Sequence, residues 1–181
     1  MRKLIESTLV SLNGIVGSPE EWALRHWGEE NQSHALAQLS DVDAFLLGRV
    51  TYEGFARSWS PIKGNPYFDR INNLPKFVAS AKLREATWNA SIIRGDVAAE
   101  VAKLKQQPGK NIIKYGTSHL DRTLIQHRLI DEFHFSIFPI VLGSGLRLFE
   151  GIDTGGLTLK LTGTKVFTNG VVIHSYAAVY K

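Results

Sequence analysis

No cysteine occurs among the 181 residues of this chain, and methionine occurs once. Without thiols there are no disulfide frameworks, zinc-thiolate sites, iron-sulfur clusters or cysteine nucleophiles. Any chemistry must use other side chains or a borrowed cofactor. Long apolar runs are missing too. The longest stretches, 43–48 and 135–142, fall well short of the roughly 20 residues needed to cross a bilayer. The N-terminal Met1-Arg2-Lys3-Leu4-Ile5-Glu6 reaches an acidic residue before any apolar stretch, unlike a secretory leader, so a cytoplasmic protein is expected. No repeat, low-complexity tract or linker divides the sequence, and one domain over 1–181 is expected.

The charge pattern excludes further classes. A formal charge of +4 comes from 21 basic and 17 acidic residues scattered along the chain. No basic run is long enough to follow a nucleic-acid backbone, so a small anionic ligand suits the excess better than a polyanion. The six histidines include no His-Glu-x-x-His and no close pair, which argues against a metal site. A Gly-x-Ser-x-Gly elbow is absent, leaving a hydrolase unsupported. Trp22, Trp27, Trp59 and Trp88 read as core or interface residues.

What is present alternates between strand and helix signals. Residues 3–10 read as a strand ending in the turn Ser11-Leu12-Asn13-Gly14. Ser18-Pro19-Glu20-Glu21 predicts a capping box opening a helix, or a broken pair of helices, to about Leu39. A buried strand over Val42–Leu47 runs into Gly48-Arg49-Val50-Thr51 and a short helix with Tyr52 and Phe55. Residues 58–74 read as a loop enclosing a short helix near Tyr67–Asn72, placed as a surface lid or partner contact. Strands at 76–80 and 91–94 precede a helix from Asp96 to Gln107, stopped by Pro108-Gly109. A strand over Asn111–Tyr115 leads through Gly116-Thr117-Ser118 into a helix with Ser118 at its cap and Asp121 at N3. From Phe133 a half-buried strand, with His134 and Ser136 as its polar positions, turns wholly apolar toward Leu142. Two late strands, near 157–165 and 170–180, complete a mixed sheet that is parallel first, with an antiparallel C-terminal hairpin.

Gly48-Arg49-Val50-Thr51 sits where a strand ends and a helix begins, a place where free N–H groups and the helix dipole favour a phosphate. The bland reading is a helix cap with a solvated arginine. Tyr115-Gly116-Thr117-Ser118 repeats the arrangement, and two such turns at one sheet rim could grip a pyrophosphate. Ser80 and Lys82 end a third strand at the same rim, although each alone reads as an ordinary turn residue. Leu142-Gly143-Ser144-Gly145 reads as a tight connection that carries Phe149 into the core.

These segments carry a family resemblance. Residues 43–53, DAFLLGRVTYE, resemble the Gly-Arg-x-Thr segment of dihydrofolate reductase-like proteins. Ser11-Leu12-Asn13-Gly14 is similar to the Ser-Leu-Asp-Gly turn of the riboflavin-biosynthesis reductase domain family. Leu129-Ile130-Asp131-Glu132-Phe133, Pro139-Ile140 and Leu142-Gly143-Ser144-Gly145-Leu146-Arg147-Leu148-Phe149 resemble that family's later signatures, in order. The resemblance implies a three-layer α/β fold: a mixed, mostly parallel eight-stranded sheet with helices on both faces. It also implies an NADPH-dependent reductase acting on a small heterocyclic or carbonyl-bearing substrate, and a homodimer. Carried over by motif, Gly48, Arg49 and Thr51 would hold phosphates, with Arg49 at the adenosine 2′-phosphate. Ser80 and Lys82 would flank the adenosine end, and Gly116, Thr117, Ser118 and Leu120 would line the pyrophosphate.

Dihydrofolate reductases usually carry paired glycines where this chain has Gly116-Thr117, and Asn13 stands where the family has Asp. Asn13 is the catalytic candidate, able to hydrogen-bond substrate but not to act as a general acid or base near neutral pH. Glu20, Glu21, Glu29 and Glu30 are the candidates for a buried acid. The loop from Ser11 to Pro19, with Gly14 and Gly17 as hinges, is expected to close over the nicotinamide. A binding protein of the same fold without turnover is the competing reading. It is separated from the first by NADPH oxidation.

Overall fold

The computed structural model describes residues 1–181. Eight strands form one sheet: β1 (Leu4–Ser11), β2 (Val42–Gly48), β3 (Lys76–Ala79), β4 (Ala90–Ile93), β5 (Asn111–Tyr115), β6 (Glu132–Phe138), β7 (Thr158–Val166) and β8 (Val172–Val179). Their order is β4-β3-β2-β5-β1-β6-β8-β7. The first six pair in parallel, while β8 runs antiparallel to β6 and to β7, as the sequence pattern predicts. The six helices are α1 (Pro19–Trp22), α2 (Glu29–Gln38), α3 (Arg49–Ser58), α4 (Pro66–Asn73), α5 (Val97–Gln106) and α6 (His119–Gln126).

The period-2 alternation of the strands supplies two apolar faces. On one, Leu4, Leu46, Ile112, Phe133 and Phe135 pack with Val101 and Leu104 of α5 and Leu124 and Ile125 of α6. On the other, Phe45, Leu47, Val78 and Ile113 pack with Tyr52 of α3 and Ile71 of α4. A third cluster sets Trp22 of α1 edge-on to Phe138, at 5.6 Å between ring centroids.

Three local expectations change. Ser18 stands at the α1 cap position in the left-handed region (φ 46°) without a side-chain cap bond, so no capping box forms. Pro19 starts a single helical turn and α2 begins anew at Glu29: the pair is broken. The 58–74 segment is not a free lid. Ile71 and Leu74 are buried in the core, and the Asn72 amide donates to the carbonyls of Trp59 and Ile62. Finally, β6 stops at Phe138, because Pro139 has no N–H to continue the ladder.

Buried cations close polar ends that the apolar layers leave open. Lys76 Nζ donates to the carbonyls of Ile71, Asn72 and Leu74 at 2.6–3.0 Å, satisfying the orphan carbonyls at the end of α4. Its ammonium lies 4.2 Å from the Trp88 ring centroid, and burial pulls its pKa down to about 8.

Candidate functional site

The parallel strands end together at one rim, and there the two glycine turns meet. Gly48, extended and at the cap of α3, offers no side-chain cap to that helix, whose first turn carries no acidic residue. Its N-terminal N–H groups are therefore available to an anion. A Cβ on Gly48 would lie 3.7 Å from Ser118 Oγ, so the β2–α3 and β5–α6 turns face each other across a narrow gap. Gly116 adopts φ +72°, which an L side chain rarely takes, and the space beside it is open. That is a cradle suited to a close-approaching phosphate.

The flanking side chains are differently engaged. Thr51 is half-buried in the first turn of α3. Arg49 is half-exposed and paired with Glu53 at 2.7 Å, one helical turn on. Ser80 Oγ accepts the backbone N–H groups of Lys82 and Leu83, closing the turn after β3, and Lys82 is exposed. Arg94, at the end of β4, donates to the carbonyls of Leu83 and Arg84, adding a second cation that the sequence reading missed. Thr117 turns its hydroxyl inward to Glu6 at 3.0 Å, away from the gap. Ser118 and Asp121 form the predicted capping box on α6, which places Leu120, half-buried, in the first turn.

Next to this gap lies a polar floor on the α2 side of the sheet. Strand register sets Tyr115, Ser7, His134 and Ser175 in one row across four adjacent strands, all half-buried. Side chains of central strands are normally fully covered, so partial exposure here marks a crevice. The Tyr67 hydroxyl donates to Tyr115 Oη at 3.2 Å, and burial pushes Tyr67 up to about 12 and holds Tyr115 well above its ordinary value. A groove of about 250 Å³ opens between α2 and α4, walled by residues of those two helices, Glu29, Ser33, Leu36 and Tyr67 among them. His134 Nδ1 lies 2.7 Å from the Gln38 amide nitrogen and Nε2 lies 3.2 Å from Glu132. Burial pulls this imidazole below its ordinary pKa although Glu132 opposes it. A neutral ring with Nε2–H toward Glu132 satisfies both contacts. The alternation in β6 showed His134 as a polar position, but only the packing of α2 makes that face an enclosed one.

Comparison with known proteins gives the family and the fold. The model of the RibD C-terminal domain matches residues 2–173. The chain belongs to that family. It is 34% identical to YyaP of Bacillus subtilis (strain 168) over 139 residues, 74% of this chain and 73% of that one. It is 31% identical to YwjB of the same organism over 176 residues, 96% of this chain and 97% of the other; both relatives are uncharacterized. Among solved structures, a protein of Shewanella sp. PV-4 assigned to riboflavin biosynthesis superposes with TM-score 0.78 at 22% identity, covering 98% and 99% of the two chains. Dihydrofolate reductase from Enterococcus faecalis, complexed with NADP(H), gives TM-score 0.61 at 16% identity over 97% and 94%. A Thermotoga maritima deaminase/reductase gives 0.67 at 14%, with this chain spanning 57% of that one. The fold is dihydrofolate reductase-like.

In this RibD C-terminal domain, Asn13 serves as a clasp. Its Oδ1 accepts from Leu142 N at 3.1 Å and Ser11 Oγ at 2.9 Å, and its Nδ2 donates to Leu142 O at 2.7 Å. One amide N–H is left for any substrate. The loop around it is tied down and not hinged: Val16 N donates to Leu146 O, Leu148 N to Gly14 O, and Ile15 is buried. Gly17 serves close packing, since a Cβ there would lie 3.3 Å from Leu146 N. The turn Gly143–Gly145 presses on Ile15 and brings Phe149 against Phe133 and Phe135, as its sequence suggests. The four acid candidates are all exposed, and Glu30 is held below the usual carboxylate range by the Thr168 hydroxyl and N–H. Of the four, Glu29 lines the groove between α2 and α4.

Asn13→Ala is expected to lower stability by about 1–3 kcal/mol, because it orphans both polar groups of the Leu142 peptide. Asn13→Asp should cost about half as much, since a carboxylate still accepts from Leu142 N but opposes Leu142 O. Chemical denaturation of the two variants checks the order.

Proposed function

We propose that this chain is an NADPH-dependent reductase that passes a hydride to a small heterocyclic or carbonyl-bearing substrate. The convergence of the Gly48 and Gly116 turns beside the half-buried row Tyr115–Ser7–His134 carries the reading, because it puts an anion cradle and a polar crevice side by side. Gly48, Thr51 and the first turn of α3 would bind one side of a pyrophosphate, and Gly116, Ser118 and Leu120 the other. Arg49 and Lys82, with Ser80 between strand end and solvent, would meet the adenosine end and its 2′-phosphate. Arg49 must leave Glu53 to do so. The dihydronicotinamide, when bound, supplies the hydride.

The chain's own part is to orient and to exclude water. Tyr67 and Tyr115, both held neutral, would present hydroxyls to a planar ring in the crevice and Ser7 would add a third, while His134, engaged by Gln38 and Glu132, holds the floor in place. Asn13 is engaged, the four glutamate candidates are exposed, and the carboxylate that does border the floor, Glu132, is already paired with Lys3 and His134. That observation favours the second reading, a ligand-binding protein of this fold without turnover. Loss of dihydronicotinamide absorbance against a panel of pterins, pyrimidines, quinones and aldehydes separates the two. Turnover with any of them supports the reductase, and dinucleotide binding without turnover across the panel supports the binding protein.

We also propose a homodimer formed through β7. Phe133–Leu142 and Val171–Tyr180 are apolar enough to suggest an unpaired or exposed sheet face, yet β6 lies inside the sheet and β8 is covered on both edges. The exposed edge is β7, nearly all of whose side chains face solvent, including Leu161 at 53% and Val166 at 67% exposure. The unpaired N–H and C=O groups of such an edge can pair with a second strand, with Leu161 and Val166 as apolar contacts beside Lys160 and Lys165. Light scattering should give a dimer for the parent protein and a monomer for Leu161→Lys/Val166→Lys. A parent monomer at micromolar concentration would refute it.

No helix of the structure is long and apolar enough to cross a membrane.

A further inference from the structure

Behind the Gly116 turn, on the α5–α6 side of the sheet, three charged side chains are sealed from solvent: Glu6 on β1, Lys114 on β5 and Asp121 on α6, with side-chain exposures of 0–1%. Parallel register sets Glu6 directly beside Lys114. Lys114 Nζ donates to Asp121 Oδ2 at 2.9 Å and to the Gly116 carbonyl, and lies 3.5 Å from Glu6 Oε2. Glu6 Oε1 accepts from Thr117 Oγ1 at 3.0 Å and Thr8 Oγ1 at 3.3 Å. Asp121 Oδ2 accepts from the Ser118 N–H. Each of the three turn residues is thus fastened to one member of the set: Gly116 by its carbonyl, Thr117 by its hydroxyl, Ser118 by its N–H.

A buried ion set of this size is weak as a source of stability, since the cost of desolvation consumes much of the attraction. A buried carboxylic acid in excess of its cation is therefore informative. Resting on the cofactor reading above, we infer that Glu6, Lys114 and Asp121 are positioning residues for the phosphate-facing turn, and that the proton on Glu6 sets the turn's geometry and its grip on an anion.

One lysine cannot neutralise two carboxylates. Burial, reinforced by the Asp121 charge and opposed by Lys114, pushes Glu6 up to about 8. Burial works against the Lys114 charge, but the two carboxylates outweigh it and hold its pKa above the ordinary value. Below the Glu6 titration the set is neutral, Lys114 balancing Asp121. Above it, an extra negative charge stands directly behind a turn that is to hold phosphate, and Thr117 is drawn further toward Glu6. The other ionisable groups on this face do not cancel that charge: Lys105 is paired with Asp131 at 2.6 Å, Tyr180 bonds the Ile130 carbonyl, His174 faces Tyr176, and His119 and Arg122 of α6 are exposed. The sign for folding follows. The folded state holds the Glu6 proton to higher pH than the unfolded chain, so stability falls as pH rises from the ordinary carboxylate range through about 8.

The test uses the intact chain with two readouts. In cofactor-free protein, the backbone amides of Gly116, Thr117 and Ser118 are followed by NMR from about pH 6 to about pH 10 in the parent and in Glu6→Gln. The expected result is one shared transition near 8 in the parent, absent in the variant. In parallel, affinities for NADPH and for NADH, which lacks the titrating 2′-phosphate, are measured over the same interval. Both should fall roughly tenfold in the parent and stay level in Glu6→Gln, the size expected for one added charge within about 10 Å. Lys114→Met should weaken binding at every pH. Amides that do not titrate, or that titrate alike in Glu6→Gln, overturn the inference even if the dinucleotide binds. Amides that titrate as expected with no dinucleotide binding support the positioning set and overturn the cofactor reading instead.

Discussion

Replacing Gly48 by valine is expected to abolish dinucleotide binding while leaving the fold intact. The backbone there is extended, which any residue adopts, and a Cβ meets nothing closer than Ser118 Oγ at 3.7 Å, an ordinary contact. The two γ-methyls must then occupy the gap between the turns, where a pyrophosphate is to contact the N-terminus of α3. Losing two charge-assisted hydrogen bonds should weaken NADPH binding by at least about 100-fold. A melting temperature close to the parent's, with that loss of affinity, locates the site. Unchanged affinity removes the gap from it.

Arg49→Ala should lower NADPH affinity by about 10- to 100-fold and NADH affinity by only about 3-fold or less, the range for a charge-assisted phosphate contact. Glu53→Gln gives the opposite sign. In the free chain Glu53 holds the guanidinium at 2.7 Å, so removing its charge frees Arg49 and should raise NADPH affinity a few-fold. Titration by tryptophan fluorescence measures both variants. If the NADPH preference survives in Arg49→Ala, the 2′-phosphate contact belongs to Lys82 or Arg94.

Much of this fold is legible in the sequence, for identifiable reasons. Short apolar runs that end in glycine gave β2 and β5, and the residues after them gave α3 and α6, because helix caps and tight turns are local chemistry. The Ser118–Asp121 capping box is one such case. The failures are nonlocal. Ser18-Pro19-Glu20-Glu21 has the composition of a capping box, but Trp22 must reach Phe138 and the Gly17 carbonyl, and this holds Ser18 in the left-handed region. The loop at Asn13 reads as a hinge because its anchors, Leu142 and Leu146, lie about 130 residues away in sequence.

The site divides the same way. Gly48, Arg49, Thr51, Gly116 and Ser118 could be named from their places after strands, and the structure brings their two turns together. Thr117 was assigned an outward role, yet its hydroxyl points to Glu6. Glu6, Lys114, Tyr67 and His134 were not legible as site residues, because nothing local marks them as such. Glu6 meets Lys114 only because β5 inserts between β1 and β2, and His134 is enclosed only because α2 crosses its face. Strand order is the missing information, and a period-2 pattern does not contain it.

The most direct test is calorimetric titration of the parent protein with NADPH and with NADH at neutral pH. The account predicts one site per chain and NADPH bound at least about tenfold more tightly than NADH, from the 2′-phosphate contact. Absence of binding, or equal affinity for the two dinucleotides, would contradict it.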